Sequence, residues 1–439
     1  MINKLPHTFF APWNYSSISL VTSRGERGKQ QLRRDFSMDR CEIRTPEGRR
    51  PRRLPYGVKG NFAPRREKDG ADAEIPLRTF GARRNVLLSK KKCDIINGMT
   101  IREYIAGYAP RYRGHTPGHK GRLDARDITE ILDEFPGDLI RADERAAAYV
   151  YGARELRFLT GGSSMGIKAA VLTLGEGFVT DGYCHRAVTE AAELAGVEAF
   201  KLPLCVGADG LPALPTPEVV ANEMRNRGVR NALIQYPDYY GRVCDLEGIS
   251  RAVRAAGGRL ICDGAHGAHF AFRPDLFPKS ATRIADACNL SAHKTLSALT
   301  QTAFLAFGER FDAESMDRSL ALLGTTSPNY VLLASLEEAM ERGMTRAADY
   351  DRLVAFSARL KADLPHAANA DPTRLVLDAG RSRGRATAYA FADRGVVPEK
   401  YDDRYVIFIL TPDDTDEGLA ALEESARALL GKGPGRRER

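Results

Sequence analysis

Between residues 156 and 294, short apolar runs alternate with helical ones. "LRFLTGG" is followed by "SSMGIKAAVLTL", "GFVTDG" by "HRAVTEAAELAG", and "EAFKLPL" by "TPEVVANEMRNRG". "NALIQYP" precedes "EGISRAVRAAGG", and "RLICDGAHG" and "IADACNLSAHK" continue the series. Short apolar strands that alternate with helices predict a mostly parallel sheet covered on both faces, an α/β fold. Ahead of this region, "MTIREYIAGYA" and "DITEILDEF" read as short helices, and the Ala-rich "ADERAAAYVYGA" as a helix ending at Gly152. "SPNYVLLASLEEAMERG" starts a long helix. Beyond it, "TRLVLDA" and "RYVIFILTP" read as strands, and "GRATAYAFADRG" and "DTDEGLAALEESARALL" as helices, which together predict a small α+β domain. The expected organisation is an extension over 1–98, a large ligand-binding domain with its leading segment over 99–330, and a linking helix with the small domain over 331–439.

Charge separates the extension from the rest. Residues 1–92 carry 22 Lys and Arg against 9 Asp and Glu, whereas the remainder carries 43 against 48. The whole-chain charge of +8 is therefore a property of the arm. The arm shows no sustained period and is rich in charge, Gly and Pro, a composition that folds poorly. A nucleic-acid arm would interleave aromatics with the basic residues, and none do so here, so no nucleic-acid partner is expected. A transit peptide would be an Arg-rich amphipathic helix, but the first 25 residues hold only Lys4 and Arg24 as cations. The expectation is a poorly folding extension or an over-long start, with Met99 opening the patterned region. No apolar run reaches 18 residues, so no membrane span is expected. The seven cysteines are odd in number and include no CxxC pair. That disfavours a disulfide framework and a structural zinc, and it suits a reducing, cytoplasmic setting.

In an open α/β sheet the ligand lies beyond the carboxyl ends of the strands. Three strand ends hold unusual residues. "TGGSSMG" (160–166) offers flexible backbone, two hydroxyls and the free N–H groups of a following helix, which is an anion site or else a tight turn with a serine cap. It lacks the GxxxxGK[ST] and GxGxxG signatures. Asp263 ends the apolar run of "RLICDGAHGAH", where a carboxylate can cap a helix, bind a metal or hold a protonated ring nitrogen. His266 and His269 follow it, but spacing alone does not make a zinc site, and no metal is expected. Lys294 comes 31 residues after Asp263, at the next strand end, with no acid nearby in sequence. A lysine there suits Schiff-base chemistry, in which burial frees the amine to attack a carbonyl, or it is a loop lysine reaching to solvent. Six of the eight histidines fall between His115 and His293, all beside loop-forming residues. His269 reads equally well as structural.

"HTPGHKG", "TGGSSMGIKAA", "CHRAV", "DGAHGAHFAF", "SAHKTLSALTQTAFL" and "TTSPNYVLLASL", in this order, resemble the Orn/Lys/Arg decarboxylases. The resemblance runs from about residue 99 to about residue 430. It implies an aspartate-aminotransferase-like fold (fold type I) and pyridoxal 5'-phosphate as cofactor. Under it, Lys294 links to the cofactor as a Schiff base and Asp263 pairs with the pyridine nitrogen. His185 stacks on one ring face, and Ala265 packs on the other. Gly162, Ser163 and Ser164 hold the phosphate, with Ser291 and His293 closing on it, and His266 sits near the reacting centre. Thr326 and Ser327 reach the phosphate of a neighbouring subunit, so a homodimer or larger assembly is implied. The chain departs from the family pattern in carrying Gly161-Gly162-Ser163-Ser164 where Asn-Gly-Ser-Thr is frequent, and Gly182-Tyr183 where Arg-Asn is frequent. It is also similar to the shorter members, which lack a further C-terminal domain.

The resemblance implies decarboxylation of lysine, arginine or ornithine to an amine and carbon dioxide. The alternatives are another reaction of the same cofactor, transamination or aldol cleavage, or a catalytically silent cofactor-binding homologue. Arg381, Arg383 and Arg385 are candidate carboxylate anchors for the transaminase alternative or plain solvated charges. Which amino acid is the substrate is a matter of pocket shape, which sequence does not fix.

Overall fold

The computed structural model describes residues 100–129 and 137–431. The basic extension lies outside the described residues, as does most of "DITEILDEF". Thr100 opens helix α1 (Ile101–Gly107) with a capping box: its hydroxyl accepts from the Glu103 N–H, and the Glu103 carboxylate accepts from the Thr100 N–H. Helix α2 (Gly137–Tyr151) ends at the predicted Gly152, which has a φ of 64°. The alternation then runs through strand β1 (Glu155–Leu159), α3 (Gly162–Leu174), β2 (Phe178–Thr180), α4 (Arg186–Ala195), β3 (Ala199–Lys201), α5 (Pro217–Arg227), β4 (Asn231–Gln235), α6 (Leu246–Ala255) and β5 (Leu260–Asp263). Next come β6 (Ala287–Leu290), a one-turn helix α7 (Ala292–Thr295), β7 (Ala303–Phe307) and α8 (Ala313–Leu323).

These seven strands form one sheet in the order β1-β7-β6-β5-β4-β2-β3. The pairs from β6 through β3 are parallel, and β7 runs antiparallel to both β1 and β6. The expected fold, a mostly parallel sheet with helices, is the one observed. Both faces are buried, and alternate residues of each strand serve opposite faces. Leu260 and Cys262 join the core built with α2, α5 and α6, while Ile261 between them joins the core built with α3, α4 and α8. That is why β5 reads as an unbroken apolar run.

Helices α9 (Tyr330–Thr345) and α10 (Asp349–Asp363) lead to strand β8 (Arg374–Asp378), helix α11 (Gly384–Asp393), strands β9 (Lys400–Tyr401) and β10 (Tyr405–Ile409), and helix α12 (Asp416–Leu430). The second sheet is antiparallel, in the order β8-β10-β9. Its strand β9 and the helices α8 and α10 go beyond the elements read from sequence. No described helix is long and apolar enough to cross a membrane.

Candidate active site

Strands β5 and β6 are parallel neighbours with Asp263 opposite Asn289. Their carboxyl ends therefore lie side by side, and the turns that leave the two strands start from one end of the sheet. After β6, Ser291 leads directly into α7, which carries His293 and Lys294. After β5, the turn carries Gly264, Ala265 and His266.

Asp263 is 3% exposed. Burial pushes its carboxyl pKa up, while Lys294, the Ala265 N–H at 3.2 Å and His185 favour the charged form. Burial holds the Lys294 ammonium below the usual lysine range. Asp263 and Glu399 oppose that shift, whereas Arg374 and Lys400 reinforce it. Lys294 Nζ lies 3.3 Å from His266 Nε2, and His266 Nδ1 lies 3.3 Å from Arg374 Nη2. Burial, then Arg374 and Lys294, push the His266 pKa well below the ordinary value. The Tyr239 ring meets the His266 ring edge-on at 4.7 Å between centroids. Tyr239 also donates to Glu399 at 2.6 Å and lies beneath the Lys400 ammonium at 4.4 Å. Partial desolvation brings this amine closer to the neutral form that attacks a carbonyl carbon, with Asp263 working against it.

The second part of the site is the start of α3. Its N-cap, Gly161, offers no side-chain acceptor, and the first turn holds no acid. The helix N-terminus therefore has no side-chain cap or acid of its own, the arrangement that can accept an anion. Gly162 has φ of +72°, the left-handed region that an L side chain occupies only with strain. The Ser163 and Ser291 hydroxyls hydrogen-bond to each other, so the two strand ends converge at this helix start. Ser164 lies in the same first turn. Gln301 donates to the Thr160 carbonyl at 2.7 Å and ties the approach to β7 onto the end of β1. His293 is fixed by an Nδ1 contact to the Thr302 carbonyl at 2.8 Å.

The remaining predicted residues separate into four groups. His185 is the exposed N-cap of α4, its Nδ1 accepting from the Ala187 N–H at 3.2 Å, and it acts on the Asp263 charge. Ala265 is buried under the same carboxylate. Thr326 and Ser327 are exposed, in the segment between α8 and α9. His269 faces away from Lys294: its Nε2 lies 3.3 Å from Asp371 Oδ2 and 3.3 Å from Thr373 Oγ1, in a fully buried bridge to the segment before β8. His266 and His269 thus serve different neighbours and do not converge as a metal pair. Arg381, Arg383 and Arg385 are exposed. The buried arginine near Lys294 is Arg374, and the one sequence signal for it was a cation inside the apolar strand "TRLVLDA". Tyr239, Glu399 and Lys400 carried no motif.

The sequence signature of the Orn/Lys/Arg decarboxylase major domain matches residues 126–370. The chain is 28% identical to YaaO, an uncharacterised protein of Bacillus subtilis, over 350 residues, which is 67% of this chain and 70% of that protein. It is 25% identical to an arginine decarboxylase of Bacillus anthracis over 358 residues, 74% of this chain and 72% of that enzyme. Among solved structures, it superimposes on the Francisella novicida lysine decarboxylase LdcF with a TM-score of 0.65 at 17% identity, covering 75% of this chain and 59% of that one. The L-threonine transaldolase of Pseudomonas fluorescens shares the fold at a TM-score of 0.54 and 15% identity, covering 74% of this chain and 83% of that one. The chain spans about three-fifths of LdcF, and at these identities the structural matches establish the fold alone. With more than half of its length matched by the signature, the chain belongs to the Orn/Lys/Arg decarboxylase family.

Proposed function

We propose that this protein is a pyridoxal-phosphate-dependent decarboxylase of a basic amino acid, lysine, arginine or ornithine, that releases carbon dioxide and the corresponding amine. The observation that carries the reading is Lys294: a half-buried amine with a lowered pKa, near the buried Asp263 and at the same end of the sheet as an uncapped, two-hydroxyl helix start. An aldehyde, a ring nitrogen and a phosphate on one small molecule would find an amine, a carboxylate and an anion cup here. The donor set therefore fits pyridoxal phosphate. When bound, that cofactor supplies an aldehyde for amine capture and a ring that accepts the electron pair left by a departing carboxylate.

The chain's own residues do the rest. Lys294, whose lowered pKa brings the neutral amine closer, would be the residue that bonds the aldehyde carbon. The Asp263 carboxylate would hold a proton on the ring nitrogen, a contact that desolvation would strengthen. His185 and Ala265 would line the two faces of the ring. Ser163, Ser164, Ser291, His293 and the α3 N-terminus, opened by Gly162, grip the phosphate. His266 orients the Lys294 amine. Glu399 adds a second carboxylate within reach of Lys294 and gives the mouth an acid for a cationic side chain. Thr326 and Ser327, exposed between α8 and α9, reach the phosphate site of a second subunit in a homodimer. The five described cysteines are free, which supports a cytoplasmic setting.

The test is a substrate screen. Full-length protein loaded with pyridoxal phosphate is incubated with lysine, arginine or ornithine, and carbon dioxide and amine are measured. Release with one of the three, abolished in Lys294→Ala, is the expected result. Keto-acid production in place of carbon dioxide would shift the reading to transamination. No release with any of them would overturn it.

A further inference from the structure

We propose that Arg374 is a positioning residue that fixes His266 as its Nε2–H tautomer, so that His266 offers Lys294 a hydrogen-bond donor and no proton acceptor.

The argument starts from what a guanidinium can do. Arginine carries five N–H donors, has no acceptor and does not deprotonate in proteins. Arg374 Nη2 is 3.3 Å from His266 Nδ1, so Nδ1 must present its lone pair. A neutral imidazole then carries its proton on Nε2, the nitrogen 3.3 Å from Lys294 Nζ. The alternative, a doubly protonated ring, would aim an N–H at a guanidinium N–H. It would also add a cation among cations. The groups that act on the ring are Arg374 from β8, Lys294 from α7, Lys400 from β9 and His269 from its own turn, with the Tyr239 ring against its edge. Burial, then Arg374, then Lys294, disfavour the imidazolium in that order.

Arg374 is itself held for this contact. It is 0% exposed, and its Nε and Nη1 are buried with no hydrogen-bond partner among the described residues. Its directed bond goes to the imidazole. Asp371 supplies the nearby counter-charge, and its carboxylate is locked by the Thr373 N–H at 2.9 Å, the Thr373 hydroxyl at 2.7 Å and His269. Gly241 lets the backbone pass close by, since a Cβ there would lie 2.7 Å from Arg374 Cβ. A buried cation whose directed side-chain bond goes to a neutral ring is a costly arrangement for stability alone.

The consequence reaches Lys294. A neutral amine accepts the Nε2–H bond, whereas an ammonium would meet it N–H to N–H. The pair Arg374–His266 therefore favours the amine form that captures an aldehyde. Its part in turnover rests on the decarboxylase reading, but the tautomer does not.

The experiment uses the full-length apoprotein labelled with 15N in histidine, the His266 signals being identified by their loss in His266→Asn. Expected are a protonated Nε2 and a bare Nδ1 from pH 6 to pH 9. Arg374→Gln, whose amide either donates or accepts, should lose the single tautomer. The pH profile for capture of added pyridoxal phosphate, followed by absorbance, should then move up by about one unit, or about tenfold slower capture at neutral pH. Arg374→Lys, a donor only, should restore both. A wild-type His266 protonated on Nδ1, or an Arg374→Gln protein with tautomer and profile unchanged, overturns the proposal. If Arg374→Gln does not fold, the wild-type spectrum and Arg374→Lys decide. Failure of the decarboxylase reading would show separately, as absence of carbon dioxide release with the tautomer intact.

Discussion

Asp263 and Lys294 illustrate how one residue's chemistry is set by its surroundings. Each is desolvated, and each is the other's principal opposing influence. Lys294 thus works against the upward push of burial on the Asp263 carboxyl, and Asp263 works against the downward push of burial on the Lys294 ammonium. Asp263→Asn keeps the shape and removes the charge. We expect kcat to fall by about a hundredfold or more, as when one preorganised charge partner is lost, with the fold unchanged by circular dichroism. Lysine chemistry here also has a pH sense. Because the Lys294 pKa lies below its ordinary value, cofactor capture should weaken on acidification and persist below the range where a free lysine fails. Lys294 and Asp263 were legible in the sequence because they stand at strand ends, where a charged residue among small ones is conspicuous. Arg374 was not, since an arginine inside an apolar strand does not reveal what it faces.

At the scale of elements, the start of α3 is where the proposed function places the phosphate. Its sequence omits the side-chain cap that α1 has in Thr100 and that α5 has in Thr216. In the proposed function, the N–H groups left without a side-chain cap and the Ser163–Ser291 hydroxyl pair take the cofactor phosphate. Ser163→Ala should weaken pyridoxal phosphate about tenfold, the scale of one hydrogen bond to a charged group, as read by absorbance titration of the apoprotein. Gly162→Ala should cost about 1–2 kcal/mol in denaturant melts, because the added Cβ forces a left-handed residue. The nearest atom to such a Cβ, the Gln301 carbonyl oxygen, is 3.8 Å away, so the loss would come from the backbone and not from a clash.

Across the whole molecule, buried charge sets the response to pH. Asp143 on α2 has a buried Oδ2 without a hydrogen-bond partner among the described residues. Burial, with Glu337 of α9 and Glu144 nearby, pushes its pKa up to about 7. A carboxyl whose folded pKa is raised binds its proton more tightly when folded. It leaves stability intact at pH 4 and subtracts from it as pH rises toward 7. Asp143→Asn should therefore stabilise the protein by about 1–3 kcal/mol at pH 8 and by little at pH 4, measured by urea unfolding at the two values. The fold as a whole was readable because its signal is local and periodic. Apolar strands of both-face burial alternate with helices, and that pattern dictates a covered parallel sheet whatever the distant contacts. The same pattern placed Lys294, Asp263 and the glycine-serine turn at strand ends, where such a sheet binds its ligand. The features that the periodicity left open were decided in three dimensions. The reversal of β7 comes from its pairing with both β1 and β6, and the partners of His266 come from across the chain, Arg374 from 108 residues away in a second sheet. Such contacts depend on how two sheets meet, and no short-range regularity of residues encodes that meeting.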